Sequence, residues 1–174
     1  MRLAVTGLLA GLLTLSGALW AAPDLAETFT SLKEAVEKKE VPKIKTLVPQ
    51  TLKEADETLK EAQPSEAAAV ENWKARQQFA KDAQSYVSYA YAVTASQSTD
   101  PAVTIEMAEA LMALDPKADA VDTVASVYLA AMAKGGPAKA IAGANKILAG
   151  RPENEDALYA VASNGLTSAP GQAQ

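Results

Sequence analysis

Apolar residues recur along this chain at spacings of three and four positions, which is the period of an amphipathic helix. The pattern runs over residues 24–40 and 42–59, and Pro49 lies inside the second segment. A proline within a helix removes a backbone donor and clashes with the preceding turn, so we expect a kink or a break at 48–50. The longest predicted helix covers residues 66–97. Its apolar arc of about 200° is wider than one packing partner needs, so we expect it to contact helices on two sides.

The second half of the chain contains a repeat. Residues 101–116 and 137–152 align at an offset of 36. The identical pairs are Pro101/Pro137, Ala102/Ala138, Ile105/Ile141, Ala108/Ala144, Ala113/Ala149 and Pro116/Pro152. After a slip of one residue, the tripeptide at 124–126 recurs at 161–163. A period in the mid-thirties is typical of stacked helix hairpins, so the sequence predicts an all-α fold of antiparallel hairpins with about seven helices.

Over residues 100–166 the chain resembles the tetratricopeptide repeat family, as an exported, degenerate member. The units of that family end in a helix with small residues four apart, followed by a proline before the next unit. The positions that match are Thr104, Ala108 and Pro116 in one unit and Ala140, Ala144 and Pro152 in the next. The resemblance implies an α-solenoid that serves as a binding scaffold, and it names no ligand.

The N-terminus has the layout of a secretory signal peptide. Arg2 is followed by an uncharged stretch from Leu3 to Ala22 that ends in small residues. We predict a signal peptide at 1–21, with an uncleaved N-terminal anchor as the alternative. A single helical-repeat domain is expected at 22–166, and a disordered tail at 167–174. The protein is therefore expected to be extracytoplasmic, either periplasmic or secreted, and to contact a membrane only if the N-terminal segment is retained.

Composition excludes several classes of chemistry. The chain has no His and no Cys, which removes imidazole bases, thiolate nucleophiles and the common ligand sets for zinc, copper and haem. We expect no catalytic residue, cofactor or metal. The formal net charge is −5, and the lysines of 33–45 are interleaved with glutamates, so nucleic acid is not an expected partner.

Two clusters of side chains are candidate binding sites. An acidic set consists of Asp100, Glu106, Glu109, Asp115, Asp119 and Asp122. Carboxylates gather at helix starts because of the helix dipole, and this stretch lacks the spacing and the glycine of a calcium loop, so helix capping is favoured over cation binding. An aromatic set consists of Trp73, Phe79, Tyr86, Tyr89 and Tyr91. Most of it falls on the apolar arc and is expected in the core, with Tyr89 the member nearest to solvent.

The last repeat stops after its first helix, which carries Leu158, Val161 and Leu166. Repeat arrays normally end in a cap with a polar outer face, so these three residues are predicted to engage a partner or a second copy of the chain. The alternative is that the preceding hairpin buries them.

These observations predict a non-catalytic extracytoplasmic helical-repeat protein that binds a protein or peptide of unspecified identity. Two other functions stay open. One is an envelope hydrolase that acts through two carboxylates in a cleft. The other is a carrier of a lipid or small molecule, with a groove along the longest helix.

Overall fold

The computed structural model describes residues 23–168, and the side chains of residues 25–165. Within these residues the fold is all-helical, as the periodicity predicts, and it contains no strand. The helices are α1 (Pro23–Glu37), α2 (Val41–Leu59), α3 (Ala67–Gln97), α4 (Pro101–Leu114), α5 (Asp119–Ala133), α6 (Pro137–Gly150) and α7 (Glu155–Ser168). None of these helices is both long enough and apolar enough to cross a membrane. The signal peptide predicted at 1–21 lies outside the described residues. Of the tail predicted to be disordered at 167–174, residues 167 and 168 belong to α7, and the rest lies outside the described residues.

Local signals in the sequence explain where the repeat helices begin. α4 and α6 each open on a proline, whose fixed φ suits the first helical turn. Asp100 precedes α4, and its Oδ1 accepts a hydrogen bond from the backbone N–H of Ala102 at 2.8 Å. Asn154 precedes α7 and accepts in the same way from the N–H of Ala157 at 2.9 Å. Each cap satisfies a backbone donor that the first helical turn leaves without a partner.

The helices form two layers. Consecutive helices pack against each other as hairpins, and the odd-numbered helices also contact one another in the order α1, α3, α5, α7. On the other side α4 contacts α6. α2 is joined to α4 by an ion pair between Lys45 Nζ and Glu106 Oε1 at 2.5 Å. α3 packs against α1 and α2 on one side and against α4 and α5 on the other, which confirms the expectation from its wide apolar arc.

Small side chains allow this close stacking. α3 contributes buried alanines to three successive clusters of core residues, from Ala80 near its middle to Ala95 near its end. The repeat positions Ala108 and Ala144 are both fully buried. A chain with few aromatic residues reaches native packing density in this way, because its helices approach closely instead of being spaced by large side chains.

Of the kink or break expected at 48–50, the break does not occur: α2 is one continuous helix with Pro49 inside it. The ring of Pro49 is on the exposed side, where water can satisfy the carbonyl that loses its donor. The neighbouring side chains Ile44, Val48 and Thr51 are fully buried. Burial of these residues on both sides of the proline holds the helix together, so tertiary packing outweighs the local penalty.

Candidate interaction surfaces

α7 presents apolar side chains to solvent. Leu158 is 49% exposed and Tyr159 is 75% exposed. Of the three residues predicted to bind a partner, Leu158 is therefore on the surface, while Val161 is half-buried against the main core cluster. The side chain of Leu166 lies outside the described residues. Tyr159 was missed by the sequence analysis, although it directly follows Leu158, because the repeat argument selected only aliphatic positions.

The repeat allows the burial of residues in α7 to be compared with that of the aligned residues in α5. When α5 and α7 are aligned at an offset of 37, Leu158 corresponds to Val121, Ala162 to Ala125 and Gly165 to Tyr128. All three of the α5 side chains are fully buried. Their α7 counterparts are exposed, and a Cβ built on Gly165 would have no atom within 4 Å. We call Leu158, Tyr159, Ala162 and Gly165 the α7 face.

In α5, the residue that aligns with Gly165 is Tyr128, and it contacts α6 and α4. A Cβ built on Gly143 of α6 would lie 3.2 Å from Cε1 of the Tyr128 ring, so the ring packs directly over this glycine. The hydroxyl of Tyr128 donates to Oε1 of Glu109 on α4 at 3.1 Å. Burial, reinforced by the Glu109 carboxylate, raises the pKa of Tyr128 far above its ordinary value. The α5 surface that aligns with the α7 face is thus fully buried, and α6 contacts it at Tyr128.

A second surface feature is a groove of about 650 Å³ between α1 and α3. It is lined by Lys33, Val36, Glu37, Tyr86, Tyr89, Val93 and Gln97. A smaller cleft of about 180 Å³ adjoins it at the α1–α2 turn and shares Val36, Val93 and Gln97 with it. The lining combines charged, amide and apolar groups, which suits a peptide better than a purely apolar ligand.

Tyr89 is the aromatic residue that this groove offers to solvent. It is 54% exposed, as its position at the polar edge of the helix predicts. Its ring lies 5.3 Å from that of Tyr86, centroid to centroid, and Tyr86 in turn packs edge-on against Phe29 at 5.2 Å. Burial, with smaller contributions from Tyr89 and Glu37, raises the pKa of the Tyr86 hydroxyl. Tyr86 is therefore anchored by its contact with Phe29, and the exposed ring of Tyr89 is accessible to a ligand.

The other members of the aromatic set are dispersed. Phe79 is half-buried and packs edge-on against Phe29 at 5.6 Å. The indole Nε1 of Trp73 donates to the backbone carbonyl of Glu61 at 3.0 Å, which ties α3 to the end of α2. Tyr91 packs against the core. The five residues do not form one continuous platform.

The acidic set is used for structure throughout. Asp100 caps α4, as described above, and Oδ1 of Asp115 accepts from the backbone N–H of Lys117 at 2.9 Å. Glu106 pairs with a lysine of α2, and Oε1 of Glu109 accepts from Lys146 Nζ at 2.5 Å. Within the described part of the chain, no group of three or more carboxylates is arranged to hold a metal ion.

Asp119 and Asp122 belong to a network centred on Arg151. The guanidinium donates to Oδ1 of Asp119 at 3.1 Å, to Oδ2 of Asp122, and to the carbonyl of Lys117 at 2.9 Å. Asn154 donates to Oδ1 of Asp122 at 2.7 Å. The hydrogen bond from Arg151, with that from Asn154, holds the pKa of Asp122 below its ordinary value. Sequence analysis missed this network, because its members come from loops and helices about thirty residues apart and no periodicity links them.

The α7 face shares Leu158 with the predicted partner-binding residues, and on this face the comparison of α5 with α7 and the exposure of large apolar side chains agree. The sequence was also compared with known proteins. No family model, no curated protein and no solved structure matches the chain.

Proposed function

We propose that this protein is a non-catalytic, exported helical-repeat scaffold that binds another polypeptide through the α7 face. The observation that carries the proposal is the contrast between α5 and α7. Positions that are fully buried in α5 are exposed at the corresponding places of α7. Exposed apolar surface of this kind marks an interaction site, because it costs free energy until a partner removes it from water.

The character of the α7 face favours a polypeptide partner. It combines one large aliphatic side chain and one aromatic side chain with the small positions Ala162 and Gly165. A helix backbone can approach small positions closely, and the large side chains supply most of the area that is buried. The fold already contains this type of contact where α6 covers α5.

Export is supported by the N-terminal sequence, with its apolar stretch and small residues before Pro23. A non-catalytic role is supported by the use of side chains of the acidic set as helix caps and ion-pair partners. A tetratricopeptide-like binding scaffold remains our interpretation of the repeat.

The groove between α1 and α3 is a second candidate binding site, and its lining suits an extended peptide. Tyr89 offers an aromatic contact there, and Lys33 and Glu37 offer charges of both signs at its edge. Tyr89→Ser removes the aromatic contact without touching the core, because this side chain is already half in water.

The test is affinity capture from the envelope of the producing cell. The bait is compared with the double variant Leu158→Ser/Tyr159→Ser and with the control Leu114→Ser, whose side chain is 40% exposed at the end of α4. We expect the wild type and the control to retain the same partner and the double variant to lose it, with equal helical content in all three. If the double variant retains every partner of the wild type, the α7 face is not the binding site. Loss of the partner in Tyr89→Ser alone would assign binding to the groove instead.

A further inference from the structure

We infer that the polypeptide that covers the α7 face is a second copy of this chain, whose own α7 lies antiparallel to the first. This inference rests on the proposed function, because it names the occupant of the same face. Three features of the described residues carry it: a large and a small position that match each other, the distribution of charge along α7, and the precedent of the contact between α5 and α6.

The first feature is self-complementarity. Leu158, Ala162 and Gly165 lie within about 60° of one another around the helix, at a rotation of about 100° per residue. Leu158 projects into solvent, whereas Gly165 leaves open space at the other end of the stripe. A two-fold axis beside Ala162, midway between these positions, places Leu158 of each copy over Gly165 of the other. The same surface then serves both partners, as a two-fold interface requires.

The second feature fixes the relative direction of the helices. Glu153, Glu155 and Asp156 gather at the N-terminal end of α7, and the described residues after them carry no charge. A parallel pair would bring six carboxylates to one end, where like charges repel. An antiparallel pair separates the two acidic ends by the length of the helix and also aligns the helix dipoles favourably.

The third feature is that the fold already uses a large residue over a glycine to bring two helices together. The ring of Tyr128 on α5 packs over Gly143 on α6 in the preceding repeat. In the dimer the roles are exchanged: at the position that the 37-residue offset assigns to Tyr128, α7 supplies Gly165, and the second copy supplies the large residue, Leu158. The contact involves one helix from each copy, so the buried area is small and the dimer is expected to be weak and dependent on concentration.

Disulfide trapping gives a sharp test, because the chain has no cysteine of its own. With helix axes about 8–10 Å apart and Cα atoms about 2.3 Å from each axis, facing Cα atoms at the two-fold axis come within about 6 Å. This separation suits a disulfide. We therefore expect Ala162→Cys to oxidise to a covalent dimer at least about tenfold faster than Ala130→Cys, an exposed control position on α5.

Direction and register are tested with two further variants. Leu158→Cys mixed with Gly165→Cys should form the mixed dimer faster than either variant forms a dimer with itself. Faster self-linking by Leu158→Cys would indicate a parallel pair and would overturn the proposed geometry. No advantage of Ala162→Cys over Ala130→Cys would overturn the second copy as the occupant.

Analytical ultracentrifugation tests association without a cross-link. The sample is the protein as it is purified from the producing cells. We expect the average mass to rise with concentration towards twice that of the monomer. Gly165→Leu should abolish the rise, because it fills the space that receives Leu158 of the other copy. Within one copy there is open space at this position, since a Cβ on Gly165 has no atom within 4 Å. Ala130→Leu, which adds the same kind of bulk on α5, should associate like the wild type.

The outcomes separate this inference from the proposed function. A wild-type protein that stays monomeric at every concentration overturns the second copy as occupant. If the same monomer still captures another polypeptide, and Leu158→Ser/Tyr159→Ser loses it, the proposed function stands and the occupant is a different protein. Association that survives Gly165→Leu also refutes the antiparallel contact.

Discussion

Three glycines in the last two helices differ in the space around them, and replacing each by alanine gives a graded test of the packing. A Cβ on Gly150 would lie 2.1 Å from the carbonyl oxygen of Pro116, which is a backbone atom. A Cβ on Gly143 would lie 3.0 Å from Cγ of Met132, a flexible side chain. A Cβ on Gly165 would meet nothing within 4 Å.

Two opposing effects set the magnitudes. Alanine stabilises a helix interior by about 0.5–1 kcal/mol relative to glycine, and by less near a helix end. Overpacking that forces a backbone shift costs about 1–3 kcal/mol. We therefore expect Gly165→Ala to raise the free energy of unfolding by about 0.5 kcal/mol and Gly143→Ala to change it little. Gly150→Ala should lower it by about 2 kcal/mol, since the carbonyl of Pro116 can move only with its loop.

The assay is thermal and urea unfolding followed by circular dichroism, at protein concentrations low enough to keep the chain monomeric. For a domain of this size 1 kcal/mol corresponds to about 2–4 °C in Tm. Gly150→Ala should therefore unfold about 4–8 °C below the wild type, and Gly165→Ala slightly above it. If Gly150→Ala is as stable as the wild type, the end of α6 does not approach the α4–α5 loop, and the stacking of these repeats is wrong.

The remaining predictions concern packing, a turn, an ion pair and cation binding. Ala144→Leu should destabilise the protein by about 1–3 kcal/mol in urea unfolding, because Ala144 is fully buried between helices. Lys146→Leu, at a 54% exposed side chain, should cost much less. Lys39→Gly should raise Tm by about 2 °C, since Lys39 has a φ of 57° in the turn after α1 and glycine adopts this conformation without steric cost. Asp122 has a lowered pKa in the folded state, so its contribution is present above its ordinary pKa near 3.8 and is lost as the pH falls through the folded value. The difference in Tm between wild type and Asp122→Asn should therefore shrink as the pH is lowered below about 4, and a constant difference would exclude the ion pair with Arg151 as its source. Calcium should leave Tm unchanged, because a cation that binds only the folded state would raise Tm. A rise in Tm on addition of calcium would show that the acidic set binds a cation.

Hydrophobic periodicity was sufficient to predict the class of fold and the repeat register. The spacing of apolar residues locates α3 to within one residue of its observed start, and the alignment at offset 36 identifies Ala108 and Ala144 as positions of close contact. Both are fully buried. These features are predictable because they depend on local geometry: a helix repeats every 3.6 residues, and two hairpins that each pack against a neighbouring hairpin bury corresponding positions.

The candidate site was predicted only in part. The sequence predicted that Leu158 of the last repeat helix engages a partner, and the structure places this side chain on the surface. Val161 was expected on the same surface, but it packs against the core. The two residues are three positions apart, about 60° around the helix, and only the placement of α5 and α6 decides which of them meets solvent.

The amino-acid sequence by itself determined the helical periodicity, the repeat and the chemistry that the chain lacks, since these depend on residue types and their spacing. The tertiary structure decided the outcomes that depend on atoms brought together from distant parts of the chain. Pro49 stays within a continuous helix because the residues around it are buried by other helices. Arg151 meets Asp119 and Asp122 because stacking places the end of α6 beside the start of α5. At Pro49 the free energy of long-range packing exceeds a local penalty, and at Arg151 stacking brings together residues that are far apart in the chain, so the spacing of residues along the sequence predicts neither outcome.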